Sequence, residues 1–93
     1  MTAVTGTFVA AGASTALFAP SGHLVDISIS GGNGTVQIQR EVNGVYRVVE
    51  EIVATTFSTE RVLCNARGRN VRLECTVYNS GTITYSIELG NMG

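Results

Sequence analysis

The residues able to do chemistry are few and scattered. His23 is the only histidine. Ser21 and Asp26 stand near it, but a nucleophile, a base and an orienting acid must converge in space, and no Gly-x-Ser-x-Gly turn exposes a serine here. His23 reads as an ordinary surface histidine. Cys64 and Cys75, with that single imidazole, fall short of the ligand number and spacing zinc requires. Glu50 and Glu51 are adjacent, and in a strand neighbouring side chains point to opposite faces, so they cannot act as a pair. Gly32-Asn33-Gly34 is glycine-rich like a phosphate loop, yet no helix follows to present its N-terminus, and a turn is the reading. Asn33-Gly34-Thr35 is formally a glycosylation sequon and reads as chance. No catalytic, cofactor-binding or metal-binding residue is expected.

Two features point to protein contacts instead. Arg67-Gly68-Arg69 concentrates positive charge at an expected loop tip, where it is either solvated or forked onto a partner carboxylate. From Val42 to Phe57 the apolar residues Val42, Val45, Tyr46, Val48, Val49, Ile52, Val53 and Phe57 do not fit one alternating face. Such a stretch is either a central strand buried on both sides or a strand whose second apolar face meets another subunit. The second is preferred, because contiguous exposed apolar surface marks interaction sites. The candidate interface residues are Val42, Val45, Tyr46, Val49, Phe57, Arg67 and Arg69.

Composition agrees with a binding role. Only 14% of the 93 residues are charged, against roughly 25% in average globular domains. All 6 basic residues are arginine, and with 7 acids the net charge is −1, which offers no footprint for nucleic acid or an anionic membrane. No apolar run approaches the ~18 residues of a membrane helix. Met1 to Gly6 lacks the basic and apolar regions of a secretory signal, so an intracellular origin is expected. Two cysteines are too few for a disulfide framework. If they lie on the arms of a hairpin turning near Arg67-Gly68, Cys64 stands opposite about Val71 and Cys75 opposite about Glu60. They would then not be partners. Both are read as reduced, with Cys75 as buried packing.

The elements that must position these residues follow a period of two. Val25, Ile27 and Ile29 alternate with Asp26, Ser28 and Ser30; Val36 and Ile38 alternate with Thr35, Gln37 and Gln39. Val71, Leu73, Cys75 and Val77 alternate with Arg72, Glu74, Thr76 and Tyr78, and Ile83, Tyr85, Ile87 and Leu89 with Thr84, Ser86 and Glu88. Each run is a half-buried strand. Gly31-Gly32-Asn33-Gly34, Asn43-Gly44, Arg67-Gly68 and Asn79-Ser80-Gly81 supply turns between them, Asn43-Gly44 being the strongest hairpin signal. Thr5 to Ala10 and Thr15 to Ala19 read as two short strands, the second ended by Pro20. Glu50 to Ala54 is the one tempting place for a helical turn. Seven or eight short strands argue for one all-β domain over residues 1–93, a two-sheet antiparallel sandwich of immunoglobulin-like or jelly-roll-like type, with residues 1–7 as a candidate N-terminal arm.

Three stretches carry a likeness to a known family. They are Thr5-Gly6-Thr7-Phe8 with Gly12 and Ser14; Asp26 to Gly31 running into Gly34 to Arg40 and the Asn43-Gly44 turn; and Val71 to Cys75 with Ser80 to Tyr85. In these the chain resembles the small β-sandwich virion proteins of tailed phages. Look-alikes often follow the Asn-Gly hairpin with a Thr-Trp pair; here Val45-Tyr46 stands instead. The resemblance implies a capsid decoration (cement) protein, assembled in the host cytoplasm and carried in the virion. Taken with the low charge and the unpatterned apolar stretch, the expectation is a homo-oligomer, a trimer, bound to the major capsid protein or other virion proteins, with no cofactor, nucleic acid or membrane. A tail fibre, tail tip or baseplate domain is the alternative within the virion. A carbohydrate- or receptor-binding module is a further one, disfavoured by the absence of tryptophan.

Overall fold

The structure is a computed structural model and describes residues 3–63 and 68–92. Alternation of apolar and polar residues becomes nine strands: β1 (Ala3–Phe8), β2 (Gly12–Ala13), β3 (Leu17–Ala19), β4 (His23–Gly31), β5 (Asn33–Val42), β6 (Val45–Ala54), β7 (Phe57–Leu63), β8 (Arg69–Ser80) and β9 (Ile83–Met92). One sheet runs β1-β9-β4-β7. The other runs β2-β8-β5-β6, with β3 following β2 along the same side of β8. All pairings are antiparallel. The all-β antiparallel sandwich is thus the fold, with nine strands among the described residues where the sequence predicts seven or eight. Glu50 to Ala54 lies within β6 and is extended, not helical.

Most turns serve the sandwich differently from the way their residues suggest. Asn43-Gly44 makes the expected hairpin: φ is +53° at Asn43 and +81° at Gly44, and Val42 faces Val45 across a two-residue loop. The other glycine turns carry the chain from one sheet to the other. Gly31-Gly32 links β4 to β5, and Asn79-Ser80-Gly81 links β8 to β9, each pair lying in different sheets. The backbone leaves its sheet plane at Gly31 and Gly32 with φ of +74° and +67°, values costly for any residue bearing a Cβ. The two arches also pack on each other, since a Cβ built on Gly81 would stand 3.0 Å from the Gly32 Cα.

The same geometry overturns the β7–β8 hairpin. β7 pairs with β4 and β8 with β5, so Cys75 faces Val36 and Gly12, and Glu60 faces Ser28. Cys64 and Arg67 lie outside the described residues. The candidate arm is corrected over its described part: Ala3–Phe8 pairs with β9 of its own chain, from Ala3 opposite Glu88 to Phe8 opposite Ile83. Ser14 extends β2 toward β3 by a reciprocal pair, its N–H donating to the Leu73 carbonyl at 2.8 Å and its Oγ accepting from the Leu73 N–H at 3.0 Å.

Between the sheets lies one apolar cluster. It holds Val25, Ile27 and Ile29 of β4, Val36 and Ile38 of β5, Val71, Leu73 and Cys75 of β8, and Ile83, Tyr85 and Ile87 of β9. Phe8, Leu17, Ala19, Ile52 and Phe57 complete it. Phe8 stacks on Tyr85, ring centroids 4.7 Å apart, while Gly6 leaves room for the phenol of Tyr85 across the ladder. Two residues of the expected inward set depart from it. Leu89 is half-buried near the strand end. Val77 points outward, 47% exposed, because the β5–β8 register slips between Thr35/Val77 and Val36/Cys75. Thr76 is the extra residue of that bulge, which exchanges the facing of Val77 and Tyr78 before a second slip at Asn79. Tyr78 takes the inward place and packs on the core.

Candidate interaction surface

Chemistry is built from what the two sheets show to the outside. On the β2-β8-β5-β6 sheet the outward centre is a hydrogen-bonded polar ladder. Gln37 Nε2 donates to Glu51 Oε2 at 2.8 Å, and Gln39 Nε2 donates to Gln37 Oε1 at 3.0 Å and to Glu74 Oε1 at 2.7 Å. Arg72 Nε donates to Gln39 Oε1 at 2.8 Å and its guanidinium lies over the Tyr46 ring, 3.9 Å from the centroid. Asn70 donates to Glu41 at 2.8 Å. Gln39, although outward, is only 5% exposed beneath these neighbours. This centre consumes its own donors and acceptors, so it is a structural patch.

Around it the surface is apolar. On β6, Val45, Val48, Val49 and Val53 are exposed, Val53 most of all at 73%. Val53 and Val77 flank Thr35 in one outward row across three strands. β6 is a terminal strand of its sheet, and β7, terminal in the other, adds exposed Val62. Glu50 and Arg61 join these two terminal strands, Arg61 Nε donating to Glu50 Oε2 at 2.9 Å. Free-standing edges with apolar side chains pair readily with other chains, and monomers usually blunt them.

The outward face of the other sheet is built from short hydroxyl side chains: Thr5, Thr7, Ser28, Ser30, Ser58, Thr84 and Ser86. Its charges are all acidic among the described residues. Asp26 stands directly opposite Glu88, and Glu60 lies one row away opposite Ser28. No group of three or more His, Cys, Asp or Glu side chains among the described residues is placed to hold a metal ion. His23 Nδ1 lies 3.4 Å from the Gly90 carbonyl, and no helix of the described residues is long and apolar enough to cross a membrane. Cys75 is a free, buried thiol, and burial pushes its pKa up.

Of the candidate interface residues, Val45 and Val49 are exposed on β6, and Val42 and Tyr46 are half-buried beside them. Phe57 is corrected: it is 2% exposed and sits in the core, because β7 begins in the other sheet and turns its first side chain inward. Arg69 opens β8 opposite Ala19, half-buried, beside an open hollow lined by Phe18, Asn43 and Asn70. Val42 to Phe57 is therefore neither one central strand nor one surface. It is the last residue of β5, a hairpin turn, the terminal strand β6, a two-residue crossing and the first residue of β7 in the other sheet. Sequence reasoning passed over Val77 and the fully outward Phe18, 55% exposed, since both sit in runs whose period placed no bulge or edge there.

No protein-family model, curated protein or solved structure matches the chain.

Proposed function

We propose that the chain is a structural subunit of a phage particle whose work is to bind other protein subunits, most specifically as a decoration protein that reinforces the head shell. One observation carries this reading: the β6 edge is long, unpaired on one side among the described residues, and lined by exposed Val45, Val48, Val49 and Val53. A surface of that kind is stable in water only at a cost, and covering it with protein removes apolar area from solvent at about 25 cal/mol per Å². The low charge fraction and the motifs shared with small virion sandwiches point the same way. On this reading the chain makes no bond and breaks none. Each copy adds buried area between neighbouring shell subunits that must be lost before the shell opens, and many such contacts act together. It works as a homo-oligomer bound to the major capsid protein, without cofactor, nucleic acid or membrane.

The test is quantification and imaging of the chain in purified particles. Hundreds of copies on the outer shell are expected. A handful of copies at the tail would move the same domain to a fibre, tip or baseplate, and absence from the particles would overturn the reading.

A further inference from the structure

The β6 edge has a polarity that specifies its occupant. Arg47 stands in its first half and Glu50 and Glu51 in its second. A strand so charged repels a parallel copy of itself and attracts an antiparallel one, because reversal brings Arg47 to the acids twice.

The β6 bulge decides which acid. Gln39 faces Val48 and Ile38 faces Glu50, so Val49 is one residue too many. That slip puts Arg47 and Glu50, three apart in sequence, on one face of the strand; without it they would point to opposite faces. Tyr46 and Glu51 share the other face, opposite Glu41 and Gln37. Within its own sheet Arg47 lies directly across from Arg40, a like-charge pairing, and has no ion-pair partner among the described residues.

We infer that two copies of this chain pair through β6, antiparallel about a two-fold axis between Val48 and Val49. Arg47 then faces Glu50 of the partner subunit as a second cation beside the Arg61 that each Glu50 already holds in its own chain, Tyr46 faces the partner's Glu51, and Val48 meets the partner's Val49 at the axis. Both sheets of type β2-β8-β5-β6 merge into one, and exposed Val48 and Val49 of the two edges cover each other. The contact is isologous, so it closes at two copies and propagates no further. The unit it builds is a dimer, in place of the trimer expected from the sequence. This deepens the subunit reading and rests on it for its purpose, while its test is independent of any particle.

The experiment is native mass measurement and sedimentation of the full chain across micromolar concentrations, with Arg47→Glu, Glu50→Arg and the double variant, each checked for β structure by circular dichroism. Wild type should be dimeric. Each single charge reversal should raise the dimer dissociation constant by about tenfold or more, because two symmetric pairs are lost at once, and the double reversal should restore it when made in an Arg61→Ala background, which removes Glu50's own cation. A monomeric or trimeric wild type overturns the inference, as does a dimer indifferent to both single reversals. A monomer that still binds particles overturns the pairing and spares the proposed function; a dimer absent from particles does the reverse.

Discussion

Glu50 and Arg61 bind the two sheets together at the flank where both end, with the Arg61 Nε 2.9 Å from one carboxylate oxygen of Glu50 and 3.0 Å from the other. β6 and β7 are joined by Thr55-Thr56 and share no ladder, so this ion pair spans the seam between the layers. Both side chains are well exposed, at 45% and 38%. Solvent therefore screens the pair, and its worth is small however good its geometry.

Arg61→Ala is accordingly expected to lower the unfolding free energy by less than about 1 kcal/mol, and by less still at high salt. Urea unfolding at two ionic strengths checks this. A large, salt-independent loss would show that the aliphatic stem of Arg61 packs the seam in its own right.

Gln39 presents a sharper case, because it is nearly covered and bonded on both ends of its amide. Removing it leaves Arg72 and Glu74, themselves partly exposed, without their shared neutral bridge. Gln39→Ala should cost about 1–3 kcal/mol in chemical denaturation. Thr35→Ser, a small change at another outward position of the same strand, is the expected near-neutral control.

Much of this architecture was legible in the sequence, and the failures have one physical origin. Alternation named Val25, Ile27, Ile29, Val36, Ile38, Leu73, Ile83 and Ile87 as inward, and all are buried. Alternation cannot see a bulge, so it puts Val77 inside and Tyr78 outside, when the extra residue at Thr76 exchanges them. Turn residues reveal that a chain bends and not where it goes next. Asn43-Gly44 returns the chain beside itself, whereas Gly31-Gly32 sends it to the opposite sheet with equally favourable glycines. Phe57 reads as surface for the same reason: two residues, Thr55 and Thr56, suffice to change sheets, and they carry no signature of doing so. Val45 and Val49 stand among the candidate residues because they break the period, whereas Val48 and Val53 of the same strand, also exposed, do not.

The bulge makes a paired prediction. Val77→Thr should leave stability within about 0.5 kcal/mol of wild type, since the side chain faces solvent. Ile83→Ala, in the core, should cost about 2–5 kcal/mol. Thermal or urea unfolding separates the two, and a comparable loss at both positions would mean that Val77 is packed.

Cys75 gives a pH dependence whose sign is fixed. Burial favours the neutral thiol, so its pKa is higher folded than unfolded. Its contribution to stability is complete below the unfolded thiol's value and is lost as pH rises toward the folded one. In a Cys64→Ser background, unfolding free energy should decline above about pH 8.5, and Cys75→Val should flatten that decline. Thiol reagents should label Cys75 only as fast as the protein opens.

The central claim is that the β6 edge is a surface other copies cover. Amide hydrogen exchange read strand by strand, in dilute and in concentrated solution, tests it most directly. Amides of β6 should slow markedly with concentration while those of β1, terminal in the other sheet, stay unchanged. Exchange along β6 that is fast and independent of concentration would contradict it.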